Sequence, residues 1–391
     1  MHIAKAAIIE QGDSVALSAN VTFQGRTQAV WFSVARDWAK HLDPDCLDPF
    51  VLAALPLAMR FGDPIYAAGR VSARLLFALN TGVPTVIAQV GGNLQPVKVR
   101  VAQAVEYAPP PPASRGVATG FSGGIDSFCI LCDHLGPAAL PAQRVTHLVF
   151  NNVGAFGHGG TPTFRACLPA VLACARELQL PVVAIDSNLE EFLGVDSFIY
   201  DHQFRNVAAV LALQSLIGCQ LYASAYRYED CFKRGANTAY WDPVLLPQLS
   251  TERLQVLAVG GQYSRVQKTE RVAAFPVSHR HLHVCVRDGS AGNCSSCWKC
   301  ARTLLTLELL GRLEDYRGVF DLRTYARVRP HFIVEMLRSP DPLWAEVREL
   351  ARARGHRFPA TLRLAAALPP NLLQAARNAL PRGLKHKLAR R

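Results

Sequence analysis

Six residues, Ser122-Gly-Gly-Ile-Asp-Ser127, bring two glycines, two hydroxyls and a carboxylate into the spacing of an anion cradle. An apolar run over Gly116 to Phe121 enters this turn, and a helical pattern from Asp126 to Leu135 leaves it. A strand–turn–helix junction of that kind aims several N–H groups and the positive end of the helix dipole at one point, which suits a phosphate. Gly123 and Gly124 carry no Cβ to keep an anion away. Ser122 and Ser127 can add hydroxyl donors, and Asp126 can cap the helix or hold a magnesium ion. The GxxxxGK[ST] pattern of the Walker loop and the GxGxxG spacing of the dinucleotide fingerprint are both absent from the turn.

A second constellation is Cys285-x8-Cys294-x2-Cys297-x2-Cys300. Four thiolates close a tetrahedral structural zinc site, and short CxxC loops hold paired sulfurs at a suitable separation. Iron–sulfur ligation is the alternative, but the bacterial ferredoxin run needs a fourth Cys three residues after the third and then a proline. Here Cys294, Cys297 and Cys300 have the spacing of the first three, and Cys300 is followed by Ala301-Arg302-Thr303-Leu304 with no fourth Cys. The other seven cysteines of the eleven fall mostly in apolar patterns and read as small buried hydrophobes.

The elements that position these groups follow from periodicity. Strands are expected near Gly116 to Phe121, Val145 to Asn151, Val182 to Asp186, Cys219 to Ser224 and His281 to Val286. Helices are expected near Asp126 to Leu135, Pro162 to Leu178, Gln203 to Ile217 and Pro243 to Val259. That alternation is the signature of a parallel α/β sheet. Before it, Val15 to Phe23, Thr27 to Ala35, Pro84 to Val90 and Val97 to Val105 read as strands and Val71 to Leu79 as a helix. Four consecutive prolines, 109–112, form a stiff spacer. After Cys300, Thr303 to Leu313 is an apolar helix, followed by a helical region broken by prolines at 330, 340, 342, 359, 369, 370 and 381. The expected organisation is an N-terminal α+β domain over 1–108, a linker over 109–115, a nucleotide domain with the cysteine site over 116–312, and a basic helical extension over 313–391.

The SGGIDS turn resembles the SGGxDS loop of the PP-loop, or N-type, ATP pyrophosphatases. The resemblance implies a parallel-sheet domain of the HUP-like, adenine nucleotide alpha hydrolase type. It also implies cleavage of ATP between the α- and β-phosphates, with pyrophosphate held on the loop and AMP passed to an oxygen of the substrate. With the cysteine knuckle behind it, the region over 116–312 is similar to the 7-cyano-7-deazaguanine synthases, the QueC-type branch, which adenylate a carboxylate and carry it through an amide to a nitrile. The resemblance makes Asp126, Lys268 and Arg205 catalytic candidates, Ser122, Gly123, Gly124, Asp126 and Ser127 the ATP-binding residues, and the four cysteines zinc ligands. ATP, Mg2+ and Zn2+ are the implied cofactors. Asn206, Asp186, Asp201, His202 and His158 are weaker candidates, each with a local capping or loop role as the alternative. The N-terminal 115 residues, the basic tail and the segment Asn151 to Gly157 depart from that branch, so its substrate is not carried over. The alternative is sulfur transfer to tRNA or a small molecule with Cys129, Cys132 or another thiol as carrier; a non-enzymatic nucleotide switch or scaffold is the third reading.

Composition sets the remaining bounds. The 391 residues exceed a single core, no long uninterrupted apolar run offers a membrane span, and no signal peptide is visible, so a cytoplasmic protein is expected. The net charge is +12, and residues 321–391 alone hold 15 Lys and Arg against 5 Asp and Glu. Such asymmetry suits RNA, anionic lipid or an acidic partner, or simply a solvated helical face. The expected partners are a small-molecule substrate, an ammonia- or amine-supplying protein, RNA through the basic tail, and a second copy of the chain in a homodimer.

Overall fold

The computed structural model describes residues 1–90, 93–108, 111, 115–231, 237–285 and 292–368. The chain forms two compact units, Met1–Tyr263 and Ser264–Arg391.

The first unit is built on ten strands: β1 (His2–Gln11), β2 (Ser14–Phe23), β3 (Arg26–Ala35), β4 (Ile65–Ser72), β5 (Val99–Val105), β6 (Gly116–Gly120), β7 (His147–Asn151), β8 (Val182–Ser187), β9 (Ile217–Ala223) and β10 (Gln255–Val259). They lie in one sheet of order β10-β9-β6-β7-β8-β3-β2-β1-β4-β5. The pairing is mostly parallel, with an antiparallel stretch from β8 through β3 and β2 to β1. Read from β8 to β10, the five parallel strands have the 3-2-1-4-5 order of a doubly wound sheet, with β6 as its first strand.

The N-terminal strands extend this sheet instead of closing a sheet of their own. Phe32 and Ser33 of β3 pair with Ser187 and Asp186 of β8. Beyond them Asn188 continues the ladder with its side chain: Oδ1 accepts from the Trp31 amide at 3.0 Å and Nδ2 donates to the Ala29 carbonyl at 2.7 Å. A second tie is the buried helix Asp48–Phe61, which packs against the helix Phe198–Leu211. Its first residue, Asp48, accepts from the Ser72 amide at 2.7 Å and from Gln214 Nε2 at 2.9 Å. Burial pushes the Asp48 carboxyl above its usual range. The proline-rich spacer therefore falls within the first unit, and the division between compact units comes at Tyr263 and Ser264. Residues 109–110 and 112–114 of that spacer lie outside the described residues.

Three expected elements take another form. Pro84 to Val90, read as a strand, falls in the helix Gly82–Ala88 and the turn after it; Val83 and Ile87, four residues apart, are buried. Pro243 to Val259, read as one helix, is a short helix Asp242–Leu245, a 3-10 turn Leu246–Leu249 and then β10. The β-branched end of that run is claimed by parallel pairing with β9, Val259 against Ala223. The expected strand from His281 to Val286 begins as the end of the helix Ser278–His281, and residues 282–285 form no strand. The Val284 amide bonds instead to Asn293 Oδ1 at 2.8 Å, and Val286 lies outside the described residues.

The second unit is helical among its described residues. Helices Arg265–Ala273, Trp298–Leu309, Leu322–Arg338 and Pro342–Ala353 surround a core that includes Val266, Leu305, Ile333, Met336, Trp344 and Val347. Pro330 sits inside the helix Leu322–Arg338 without ending it, at the cost of one i→i−4 bond. Residues 369–391, the end of the basic extension, lie outside the described residues.

Candidate functional site

The SGGIDS turn leaves the carboxyl end of β6, as expected, and opens the helix Ile125–His134. Gly123 takes φ 74°, a left-handed conformation that a side chain resists, and Gly124 caps the helix in extended conformation. The Phe121 amide bonds to the Val149 carbonyl at 2.8 Å, so the turn starts immediately beyond the last ladder bond with β7. Phe121 and Phe128 pack edge to face at 5.1 Å and lock strand and helix together beneath the turn. Ser122 is exposed, Asp126 is half-buried on the first helical turn, and Ser127 is buried with its Oγ donating to the Gly124 carbonyl at 3.0 Å. Ser127 thus braces the turn with its proton, and Ser122 is the hydroxyl that faces solvent.

The position of this turn in the sheet matters more than its composition. Successive connections run from β6 to β7 to β8 on one side, and β9 and β10 then return on the other side of β6. The strand order reverses between β6 and β9, and open α/β sheets take their ligands outside the carboxyl ends of the strands at such a reversal. Register puts Ser224, Ser122 and Asn151 level along this edge, with Asn152 and Asp186 one step beyond the β7–β8 ladder. Asp186 Oδ1 accepts from Asn152 Nδ2 at 2.7 Å and from the Ser187 amide at 2.9 Å. Asp186 therefore stands at the carboxyl edge of the parallel strands and is oriented by its neighbours.

Arg205 takes a different place from a phosphate-binding arginine. It is fully buried, with Nε donating to Asp201 Oδ1 at 2.6 Å and Nη2 to Asp201 Oδ2 at 3.0 Å, to Ser197 Oγ at 2.8 Å and to the Gly194 carbonyl at 2.5 Å. Nη1 reaches the carbonyls of Val153 at 3.2 Å and Leu189 at 3.5 Å. Every nitrogen of the guanidinium is engaged inside the protein. Arg205 thereby ties the segments after β7 and β8 to one helix. It is a positioning residue, and Asp201 is its counter-ion.

Glu190 was not singled out in the sequence and holds the same region from outside. Its Oε1 lies 3.2 Å from His158 Nδ1 and its Oε2 accepts from the Gly159 amide at 3.0 Å. His158 is thus anchored to a loop clamp. His202 is partly buried against Tyr222, Nδ1 to hydroxyl 2.9 Å, and desolvation lowers its pKa to about 4, so the ring is neutral. Asn206 donates to the His202 carbonyl at 2.8 Å.

In the second unit the four cysteines converge. All four Sγ atoms lie within 4.8 Å of one another, with Cys285 to Cys297 at 4.0 Å and Cys294 to Cys300 at 3.9 Å. Tetrahedral zinc–thiolate bonds of about 2.3 Å put sulfurs about 3.8 Å apart, so the cluster fits such an ion. The Cys297 amide donates to Cys294 Sγ at 3.2 Å and the Cys300 amide lies 3.5 Å from Cys297 Sγ. Burial pushes the Cys294 thiol up, but the Ser296 and Cys297 donors outweigh it and bring it down to about 6. Burial and the adjacent sulfurs push Cys300 strongly upward. A dication reverses that penalty, since thiolates crowd favourably only around positive charge. Asn293 joins the two arms of the site: Oδ1 accepts from Val284, and Nδ2 donates to the carbonyls of Leu282 at 2.7 Å and Val319 at 3.1 Å.

Lys268 belongs to this second unit, on the helix Arg265–Ala273 that a Ser264–Gln267 capping box starts. It is 1% exposed, buried where a lone lysine is usually solvated. Cys129 is buried on the helix after the turn and Cys132 is half-buried.

Comparison of the chain with family models, with curated proteins and with solved structures finds no match. Among the described residues no helix is long and apolar enough to cross a membrane.

Proposed function

We propose that the protein is an AMP- and pyrophosphate-forming enzyme of the PP-loop type, which adenylates a small-molecule carboxylate or carbonyl oxygen for amide or nitrile formation. The observation that carries this reading is the location of SGGIDS at the switch point of a 3-2-1-4-5 sheet, with Gly123 left-handed and a helix directly behind it. The turn's N–H groups, with Ser122, face the place where charge builds on departing pyrophosphate, and interactions that strengthen there lower the barrier. Asp126 is the carboxylate that would hold magnesium, which screens the phosphates. Asp186, oriented by Asn152, is suited to orient the acceptor on the same edge. The tetrathiolate site reads as structural zinc, with all four positions taken by protein. A HUP-like ancestry is part of the same reading.

Incubation with ATP and pools of carboxylates, following AMP and pyrophosphate separately from ADP, tests it. Ser122→Ala or Asp126→Ala should cut pyrophosphate release about 100-fold or more with the fold intact. Unchanged release in either variant would remove the loop assignment.

A further inference from the structure

The excess positive charge of the chain belongs to one unit. Ser264–Arg391 holds 24 Lys and Arg against 10 Asp and Glu, a balance of +14, whereas Met1–Tyr263 holds 18 against 20, a balance of −2. A charge of that size on a small helical unit attracts polyanions over a Debye length.

Among the described residues of that unit, Trp298 is the large apolar ring that stands in solvent. Trp298 is 45% exposed, whereas Trp344 of the same unit is 3% exposed. The Arg302 guanidinium carbon lies over the Trp298 ring, 5.0 Å from its centroid, and Lys299 Nζ lies 5.5 Å away. The backbone beneath the indole is held on both sides, because Cys297 and Cys300 of the metal-compatible cluster bracket it. An aromatic side chain set on so rigid a base loses little entropy when a planar partner stacks on it. Among the described residues, helix Trp298–Leu309 exposes no other large apolar side chain, so this helix does not itself offer the continuous apolar surface that a lipid or an apolar protein groove requires.

An exposed indole with the half-buried Lys299 beside it and the buried Arg302 guanidinium, 7% exposed, over its ring, on a strongly basic unit, matches the chemistry of single-stranded nucleic acid. Its bases offer π-faces and its backbone offers evenly spaced phosphates. We propose that Trp298, braced by Arg302 and accompanied by Lys299, is a base-stacking platform for single-stranded nucleic acid. The inference is independent of the adenylation chemistry.

Anisotropy of fluorescein-labelled oligouridine and oligothymidine, titrated with the full-length zinc-loaded protein at several salt concentrations, tests it. Either oligonucleotide should bind with a steep salt dependence, and the two arms tell RNA from DNA as the source. Trp298→Ala should weaken binding about 5- to 100-fold, whereas Trp298→Phe, which keeps a ring, should stay within about 3-fold. Lys299→Gln should lower the slope of log K against log salt by about 1. Equal zinc content in all proteins verifies that the cluster is intact. Absence of binding to both oligonucleotides at low salt overturns the proposal, as does Trp298→Ala binding that equals the wild type.

Discussion

Arg205 and Asp201, one helical turn apart, form an ion pair in which both side chains are withdrawn from solvent, the acid at 1% exposure and the arginine at 0%. Removing one member of such a pair leaves an unpaired charge in a low-dielectric interior, which costs about 3–5 kcal/mol. Arg205→Ala should therefore lower the unfolding midpoint in urea, and Arg205→Lys should recover only part of the loss, because an ammonium cannot reproduce the six-contact fork. A midpoint unchanged by Arg205→Ala would return this residue to the ligand-binding set.

Gly123 and Gly154 both take positive φ, and at Gly154 a steric clash is added to the strain. Gly123→Ala forces a side chain into the left-handed region at a cost of about 1–2 kcal/mol, and should reduce pyrophosphate release far more than it reduces stability. At Gly154, φ is 99° and an added Cβ would lie 2.6 Å from Arg205 Nη1. Gly154→Ala should consequently destabilise the fold in the manner of an Arg205 variant, as differential scanning calorimetry would register.

His202 and Glu308 both contribute to stability on the acid side. Desolvation lowers the His202 pKa from 6.5 to about 4, so the folded state resists a proton that the unfolded state accepts. The resulting stability is complete above the unfolded value and is lost as pH falls from 6.5 toward 4. His202→Gln should flatten stability against pH in that window, and the ring's proton resonances in the wild type should not titrate at pH 6.

Glu308 acts lower on the scale. Burial raises its pKa, but Arg329 and the Tyr325 hydroxyl, with contacts of 2.7 Å each, outweigh it and hold the carboxyl below its usual 4.5. A depressed carboxyl contributes stability above its unfolded value and loses it as pH falls through the folded one. The difference in stability between wild type and Glu308→Gln should therefore be constant at neutral pH and shrink below 4.5.

Metal analysis should find about one zinc per chain, with Cys297→Ser losing it. Asn293→Ala should weaken metal retention about 10- to 100-fold against a competing chelator, because it releases both arms of the site. Visible iron–sulfur absorbance would instead reassign the cluster.

Local chemistry was legible along the chain. The turn at Ser122 to Ser127, the helix behind it and the convergence of Cys285, Cys294, Cys297 and Cys300 depend on residue types a few positions apart, and they formed as the spacing implied. The parallel strands β6 to β9 were likewise visible as apolar runs. The exchange of helix and strand at Gly82–Ala88 and at Gln255–Val259 was not visible, because short apolar runs satisfy either period until a neighbour claims them.

Long-range pairing lay beyond the sequence. That β3 seats against β8, with Asn188 reaching back 157 residues to Trp31, makes the N-terminal strands part of the same sheet as the parallel strands, and no local pattern encodes it. The saturation of Arg205 by carbonyls at 153, 189 and 194 has the same character: an arginine within a helix looks identical in sequence whether it faces a phosphate or the protein's own backbone. The sequence alone determined which atoms could do chemistry, because those are properties of side chains and tight turns. Tertiary structure decided which of them remain available to a ligand, because burial and hydrogen-bond saturation are settled only when distant segments pack.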